Sequence, residues 1–547
     1  MKRIDVLPDD VLLEIFDFYR MADEPSYEKK RREETWQSLV HVCRRWRHLV
    51  FGSRRRLYLR LCCSHETPAR DTLDVWPALP LVVTGNMVSS PDMGNIIAAL
   101  GHSNRVCEVE LKLAGWQLEQ VLAVMQMPFP ELTDLRLWSD DETLQVIPIP
   151  DSFLGGSAQR LHYFLLSGIP FLGLPNLLLS ATHLSSLWLF NIPHSGYISP
   201  EAIVALLSAL SRLSILSLEF QSPQSRPDRE TQSPPRPKRF IVPALLTFRF
   251  KGVAEYLEDL VTFIDTPQLC EMHITFFNQI DFDYPRLAQF INRTPKLSAR
   301  DEAHVQFDDS AACVILRYLS PRYTLNDFRI DISCKEPDWQ LSSIEQVCNS
   351  TLHPLFTVEH LYIEHRFSEL VWKNDAIENT LWLELLLPFT AVKNLYLSKE
   401  FVPGVAAALR ELVEGRITYI LPSFQNIFVE GLESSSPSQE NVEQFVAARQ
   451  LTSHPVAISD WKKGSNMEGA TGRPLNVTEA LNYLDTIKIQ FRDRPDVYPA
   501  FLDIMKDFRS QVYVHSHHEL PPLRLVSSYK RRIICPADSS LSLTHSS

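Results

Sequence analysis

Residues 184–189 read LSSLWL and residues 213–218 read LSILSL, and this form decides the fold of the 547-residue chain. In both stretches apolar residues occupy the first, fourth and sixth positions. The last two are separated by one residue, which is the spacing of a strand with one buried face. The form recurs at residues 132–137, 161–166, 245–250, 269–274, 358–363, 392–397 and 424–429. We predict a short strand at each copy.

We call these nine stretches strings. Helical patterns separate them. The predicted helices are Ser199–Leu210 (with Ser199 as N-cap and Pro200 in the first turn), Ala254–Ile264, Ser310–Leu319 and Gly404–Glu414. Strings follow one another at intervals of roughly 23–34 residues, which resembles leucine-rich repeats. Each unit buries its apolar face only by stacking on its neighbours. The resemblance implies an α/β fold, an irregular leucine-rich-repeat-like solenoid over residues 64–433, irregular because the Asn expected after each strand is absent. A doubly wound sheet is the alternative.

Residues 221–239 interrupt the array with the sequence QSPQSRPDRETQSPPRPKR. Five prolines, many charges and few apolar residues predict a disordered insertion. The end of this insertion, residues 235–239, has the composition of a weak nuclear-import signal, although a solvated loop is the simpler interpretation.

Two amphipathic segments precede the array. Residues 4–19 read IDVLPDDVLLEIFDFY, in which Pro8 suits a first helical turn and an apolar face follows at helical spacing. Residues 36–50 read WQSLVHVCRRWRHLV and predict a second helix with a basic opposite face. Residues 20–35 form a charged connector, which we interpret as a solvated loop. Two helices of this size need each other and a partner to bury their apolar faces.

This pair resembles the F-box. The matching residues are Leu7, Pro8, Asp10, Leu12, Ile15, Phe16, Leu39, Val42, Cys43 and Trp46. The resemblance implies an F-box domain over residues 1–63 that docks onto a Skp-type adaptor and thereby joins a cullin ubiquitin ligase. The adaptor-binding residues it implies are Leu7, Pro8, Leu12, Ile15, Phe16, Val42, Cys43 and Trp46. A plain helical cap on the solenoid is the alternative.

The C-terminal region has a different character. Residues 434–474 are rich in Ser, Pro, Gly and Asn and predict a linker. The strings EALNYLDTIKIQF and PDVYPAFLDIMKDF within residues 473–511 resemble the first half of a paired amphipathic helix domain, as found in Sin-family co-repressors. The resemblance implies a helical hairpin over residues 475–512 that accepts an amphipathic helix from a DNA-bound repressor. The residues it implies for this binding are Leu481, Leu484, Ile487, Val497, Phe501, Met505 and Phe508.

The pattern of that domain stops after two helices, and residues 513–547 predict a disordered tail. The hairpin is therefore a binding module, a truncated remnant, a fused gene fragment, or the product of a mispredicted reading frame. His515, His517, His518 and Cys535 lie in the tail, and their spacing fits no standard zinc site.

Composition narrows the classes of function. The net charge is −12, with +4 on residues 1–63 and −16 on the remainder, which argues against a nucleic-acid-binding body. We find no phosphate-binding loop and no catalytic motif, so we expect neither an enzyme nor a cofactor or metal. Nine cysteines without a C-x-x-C pair, no signal peptide and no apolar stretch of spanning length predict a cytosolic or nuclear protein with reduced thiols and no membrane contact.

Two hypotheses follow. The first is a substrate-recruiting adaptor of an SCF-type ubiquitin ligase, in which the repeat body binds a target protein on its concave strand face. No residue of that face can be singled out from the sequence, and the substrate is unknown. The second is a co-repressor-like scaffold in the nucleus that acts through the paired amphipathic helix segment.

Overall fold

The computed structural model describes residues 8–21, 29–54, 56–88, 92–139, 148–223, 239–277, 284–297, 300–318, 327–350, 353–366, 379–413, 420–431, 442–447 and 455–461. These residues belong to the first of two compact units, Met1–Lys463, and the second unit is Gly464–Ser547. The predicted hairpin over residues 475–512, the tail and most of the predicted insertion (224–238) lie outside the described residues.

Three helices come first: α1 (Asp9–Met21), α2 (Lys29–Val42) and α3 (Arg44–Gly52). The two-helix prediction is therefore wrong, because Cys43 breaks the segment 36–50 into parts of α2 and α3. The prediction of a connector loop over residues 20–35 is also wrong in its described part. Helix α1 extends to Met21, and residues 29–35 are already helical.

The body alternates strands and helices. Its first half contains β1 (Leu61–Cys63), α4 (Ala69–Val75), β2 (Leu81–Asn86), α5 (Gly94–Leu100), β3 (Val106–Leu113), α6 (Gly115–Val124), β4 (Asp134–Ser139), β5 (Tyr163–Ser167), α7 (Leu174–Leu178), β6 (Ser186–Ile192), α8 (Pro200–Ala209), β7 (Ile215–Phe220), β8 (Phe240–Ile241), β9 (Thr247–Gly252), α9 (Ala254–Phe263), β10 (Ile264–Asp265), β11 (Glu271–Phe277) and α10 (Pro285–Arg293). Its second half contains β12 (Glu302–Phe307), β13 (Ala311–Arg317), β14 (Phe328–Ser333), α11 (Pro337–Asn349), β15 (His360–His365), α12 (Asn379–Leu386), β16 (Asn394–Leu397), α13 (Val402–Val413), β17 (Asn426–Glu430) and β18 (Ala457–Trp461).

In the described part of the chain, sixteen of these strands form one sheet in the order β1-β2-β3-β4-β5-β6-β7-β9-β11-β14-β13-β12-β15-β16-β17-β18. Strands β8 and β10 form a separate parallel pair. Neighbours in the large sheet are parallel except where β13 pairs with β12 and β14. A doubly wound sheet reverses its strand order at a switch point. Because this order instead follows the chain over most of its length, the fold is the predicted leucine-rich-repeat-like solenoid.

One face of the sheet carries the core. Leu135 and Leu137 of β4 are fully buried in the cluster that the helices share, whereas the alternate residues Asp134 and Arg136 are partly exposed. We call the side that carries Asp134 and Arg136 the open face, because it lies opposite the helix layer. All nine strings contain the strands they predict, and their apolar positions point into the core. None of the described helices is long and apolar enough to cross a bilayer.

Three of the four predicted helices are confirmed. Helix α8 begins after Ser199, whose hydroxyl accepts a hydrogen bond from the Ala202 N–H at 3.3 Å. Helix α9 matches its prediction, and α13 begins at Val402, two residues before the predicted start.

The prediction of a helix over Ser310–Leu319 is wrong. This segment contains strand β13, which is antiparallel to both of its neighbours. The carboxylate of Asp308 accepts hydrogen bonds from the N–H groups of Ser310 and Ala311, each at 2.8 Å, and so closes the hairpin between β12 and β13. Residues 312–316 are buried on both sides of the sheet, a burial that local periodicity does not reveal.

The boundaries of the body also need correction. The sheet begins at Leu61 and extends to Trp461, beyond the predicted limits of 64 and 433. The predicted linker over residues 434–474 is wrong in its described part, since residues 442–447 are helical and β18 pairs with β17. Burial of Phe445 and Val456 in the core explains why this polar region still adds a repeat.

Candidate protein-interaction sites

The N-terminal helices pack around two aromatic rings. Phe16 of α1 is buried, and its ring centroid lies 4.7 Å from that of Trp46 on α3. Leu12, one turn before Phe16, is fully buried as well. Trp36 of α2 donates a hydrogen bond from Nε1 to the Arg60 carbonyl at 3.1 Å, which joins the helices to the start of the sheet. Leu12, Phe16 and Trp46, which the sequence assigns to adaptor binding, therefore hold the domain together.

Cys43 separates α2 from α3. Its backbone is extended, with φ −159° and ψ 169°, and its thiol accepts a hydrogen bond from the Trp46 N–H at a Sγ–N distance of 3.5 Å. Cys43 is thus the N-cap of α3, a position that requires a non-helical backbone and a side-chain acceptor. Arg47 donates from Nε to the Val40 carbonyl at 2.9 Å and ties the first turn of α3 back to α2.

Ion pairs join α3 and the residues after it to α1. Arg45 donates from Nε and Nη2 to Asp9 Oδ1 at 3.0 and 2.6 Å. Arg56 pairs with Glu14 one turn further along α1. Exposed pairs of this kind contribute little free energy. Their consequence is geometric, because the Asp9–Arg45 pair places the junction between α2 and α3 beside the first turn of α1.

Among the side chains of α1, α2 and α3 that the structure describes, three large apolar ones are exposed. The exposed fractions are 38 % for Val11, 44 % for Ile15 and 59 % for Val42. Val11 and Ile15 lie one turn apart on α1, so they share a face. Val42 ends α2, three residues before Arg45. We call Val11, Ile15 and Val42 the apolar patch of the domain.

The predicted adaptor-binding residues thus divide into two groups. Pro8, Ile15 and Val42 are exposed, Cys43 is half-buried, and Leu7 lies outside the described residues. Val11 was not among them, although its place one turn before Ile15 was a signal available in the sequence. The predicted repressor-helix residues Leu481, Leu484, Ile487, Val497, Phe501, Met505 and Phe508 all lie outside the described residues.

Arginines on the open face are held by the sheet itself. Arg136 of β4 donates to Glu110 at 3.0 Å and lies 4.3 Å from the ring centroid of Tyr163. Arg249 of β9 repeats this arrangement, with Glu271 at 2.9 Å and the Trp188 ring at 5.5 Å. In both cases a guanidinium lies between a carboxylate on one neighbouring strand and an aromatic ring on the other side, a geometry that combines an ion pair with a cation–π contact.

A carboxylate further along the sheet is also paired. Asp331 of β14 accepts from Arg329 Nε and from His273 Nε2, each at 2.6 Å. Burial raises the pKa of Asp331, but His273 and Arg329 outweigh burial and hold the pKa below its ordinary value.

The C-terminal part of the open face carries a stack of rings. His304, Tyr362, Tyr396 and Phe428 lie in register on β12, β15, β16 and β17. Successive ring centroids are 4.3, 4.2 and 4.5 Å apart, with interplanar angles of 6°, 9° and 9°. We call these four residues the aromatic ladder. Trp461 of β18 leans over it, with centroids 5.7 Å from Tyr396 and 6.1 Å from Tyr362.

His304, at one end of the ladder, lies between two carboxylates. Its Nε2 is 3.8 Å from Glu302 and its Nδ1 is 3.7 Å from Glu364, and both ring nitrogens are buried. Burial lowers the pKa of His304, but Glu302 and Glu364 outweigh burial and raise the pKa above its ordinary value. Among the residues that the structure describes, no group of three or more His, Cys, Asp or Glu side chains could hold a metal ion.

Comparison with known proteins supports the N-terminal part of the chain. Residues 4–64 match the family model described as F-box-like. Residues 4–64 are an F-box-like domain, and the body that follows it is leucine-rich-repeat-like.

Short matches to co-repressors were also found. The chain is 64 % identical over 44 residues to the transcriptional regulatory protein SIN3 of Saccharomyces cerevisiae and 62 % identical over 39 residues to the paired amphipathic helix protein pst1 of Schizosaccharomyces pombe. These matches cover 8 % and 7 % of this chain, and the chain spans only 3 % of the length of either relative.

Two solved structures resemble the chain weakly. The leucine-rich repeat-containing protein LegL7 from Legionella pneumophila is 11 % identical, with a TM-score of 0.25 over 71 % of this chain and 97 % of that one. Rad7 in complex with Elc1 from yeast is 14 % identical, with a TM-score of 0.25 over 78 % of this chain and 90 % of that one. Similarity at this level does not support a fold assignment. The assignment of the body therefore rests on its strand order.

Proposed function

We propose that this protein is a substrate-recruiting adaptor of an SCF-type cullin ubiquitin ligase and is not itself an enzyme. In this proposal the F-box-like domain docks onto a Skp-type adaptor, and the repeat body binds the protein to be modified. The protein would act in the cytosol, the nucleus or both.

The observation that carries the proposal is the apolar patch on a domain that matches the F-box-like family model. Val11, Ile15 and Val42 are exposed beside a well-packed interior of Leu12 and Phe16. A helical domain that exposes several large apolar residues close together is typical of a surface that binds another protein. The buried residues set the angles between the helices, and the exposed ones supply the contact area.

Co-purification with a Skp-type adaptor tests the proposal. We expect the full-length chain to retain the adaptor, and the double substitution Ile15→Asp with Val42→Asp to weaken binding at least about tenfold, because two charges would be buried in an apolar interface. Val75→Asp is the matched control, since Val75 is 76 % exposed on α4, outside the F-box-like domain. Failure of the wild-type chain to retain the adaptor, or equal retention by the double variant, would contradict the proposal.

A second candidate function rests on the match to the Sin-type proteins. Identity of 64 % over 44 residues favours descent of the predicted hairpin, residues 475–512, from a paired amphipathic helix module. We propose that this hairpin binds an amphipathic helix of a transcriptional repressor. Titration of a labelled repressor-type helix into the full chain and into its Leu484→Asp, Phe501→Asp variant tests this. Saturable binding that the variant loses would support the second function, and no saturable binding would leave only a remnant.

A further inference from the structure

The open face changes in character between its central and C-terminal parts. In the central part, cations of the sheet occupy the surface, as Arg136 and Arg249 show. In the C-terminal part, the described open-face residues of β12, β15, β16, β17 and β18 include no lysine and no arginine. They are Glu302, His304, Gln306, His360, Tyr362, Glu364, Asn394, Tyr396, Asn426, Phe428, Glu430, Ala457, Ser459 and Trp461.

Two described cations at the margin of this surface are engaged by carboxylates outside it. Arg317 at the end of β13 donates to Asp327 at 3.1 Å. Lys393, the residue before β16, donates to Glu359 at 2.7 Å. The C-terminal surface therefore combines rings and carboxylates, as the arginine sites of the central part do, but without a cation from its own strands.

The Phe428 end of the aromatic ladder lies next to β18, the last strand of the sheet, and Phe428 is half-buried. Phe428 stacks on Tyr396 with one face of its ring. Its neighbour in register on the other side is Ser459, which is small and exposed. Glu430, two residues after Phe428 on the same strand, is half-buried, and Trp461 is opposite Glu430 in register. A ring face, a carboxylate and a small residue thus lie next to one another.

We propose that this surface binds an arginine side chain of a partner polypeptide, with the guanidinium against the outer face of Phe428 and beside Glu430. The proposal follows the precedent of Arg136 and Arg249, each held between a ring and a carboxylate of the same sheet. A planar guanidinium satisfies both contacts at once, whereas an ammonium group forms only a point contact. As a statement about the ligase substrate, the inference rests on the proposed function. The arginine-binding site itself is inferred from the sheet alone and does not depend on the proposed function.

The test measures binding by the full-length chain in the absence of any ligase component, so that its failure is distinct from failure of adaptor docking. The probe is a fluorescent peptide of Gly, Ser and three Arg residues. A second peptide replaces each Arg by citrulline, which keeps the shape and removes the charge. We expect saturable binding of the arginine peptide and at least about tenfold weaker binding of the citrulline peptide. Equal binding of the two peptides, or none of either, would overturn the proposal.

Substitutions locate the site. We expect Phe428→Leu and Glu430→Gln each to weaken binding of the arginine peptide about threefold to tenfold, and Phe428→Tyr to retain it because a ring face remains. Glu271→Gln is the matched control, since it removes the same charge from the open face at a place where Arg249 already occupies the site. An equal loss in Glu271→Gln would indicate only general attraction to an acidic protein and would overturn the proposal.

The chain's own basic segment, residues 530–532, is the competing occupant. We expect Arg531→Ala with Arg532→Ala to leave binding of the arginine peptide unchanged. A gain of about tenfold or more would assign the surface to this internal segment and overturn the proposal of an external partner. Equal melting temperatures for all variants would show that the changes in binding do not arise from unfolding.

Discussion

The imidazole of His304 stacks on the phenol ring of Tyr362, with ring centroids 4.3 Å apart and planes within 6° of each other. The contact places a titratable group on the open face between Glu302 and Glu364. Because the pKa of His304 is raised, the folded protein binds a proton there more tightly than the unfolded chain does.

His304 therefore predicts a pH-dependent contribution to stability. The contribution is fully present below the unfolded histidine pKa of about 6.5 and is lost as the pH rises through the higher folded value. We expect His304→Asn to lower the melting temperature more at pH 5.5 than at pH 8.5. The same substitution at exposed His194 is the matched control. A larger loss at pH 8.5 would show that the two carboxylates do not stabilise the imidazolium.

The aromatic pair in the F-box-like domain predicts a split between stability and binding. Phe16→Ala removes a buried ring that packs on Trp46, and we expect a loss of about 3–5 kcal/mol in the free energy of unfolding of the three helices. Ile15→Ala, at the exposed neighbouring position, should cost less than about 0.5 kcal/mol while still weakening adaptor binding. Hydrogen exchange of peptides from α1, α2 and α3 measures the loss of local stability in each variant, and co-purification with the adaptor measures the loss of binding.

Exchange is the suitable measurement here because a chain of this length does not unfold in a single two-state step. If Ile15→Ala loosened the helices as much as Phe16→Ala, Ile15 would belong to the interior and the apolar patch would need a different boundary.

Two substitutions of Cys43 should affect the stability of α3 differently. Its thiol is a weak acceptor at the N-cap of α3, whereas a serine hydroxyl is among the best. We expect Cys43→Ser to preserve or raise the stability of α3 and Cys43→Ala to lower it by about 0.5–1 kcal/mol. Local exchange rates in α3 measure the difference. Equal rates in the two variants would mean that the bond from Trp46 N–H contributes nothing.

The backbone at Gly168 leaves no room for a side chain beside the end of β4. It follows β5 with φ +72°, and a Cβ there would lie 2.7 Å from the Ser139 carbonyl oxygen. We expect Gly168→Ala to destabilise the body by at least about 1–2 kcal/mol because both the backbone conformation and the clash oppose a side chain. Hydrogen exchange of peptides from β4 and β5 measures this local loss.

Gly52 supplies the control for that substitution. It is the last residue of α3, and nothing lies within 4 Å of the Cβ that alanine would add. We expect Gly52→Ala to be neutral or slightly stabilising, as alanine favours a helix over glycine. A comparable loss in both variants would remove the steric explanation for Gly168.

Part of the candidate binding surface could be predicted from the repeats alone. Tyr362, Tyr396 and Phe428 occupy the fifth position of the strings at residues 358–363, 392–397 and 424–429. Equivalent positions of stacked repeats lie side by side on one face of the sheet, so aligning the strings would have predicted three rings in a row. His304 could not be found in this way, because β12 belongs to no string and reaches Tyr362 only through the exchanged strand order β14-β13-β12-β15.

The sequence by itself determined the parts whose causes are local. Alternation with a period of two predicts the nine strands, Ser199 followed by Pro200 predicts the start of α8, and the spacing around Leu12 and Phe16 predicts α1. Tertiary structure alone decided that Ser310–Leu319 contains a strand, that Cys43 breaks a helix, and that Phe445 and Val456 continue the core beyond residue 433. For the strand, and for Phe445 and Val456, the free energy comes from contacts with residues distant in sequence, which a local pattern does not contain. The cap at Cys43 is made by residues close in sequence, but a thiol is a weak acceptor and gives no clear capping signal.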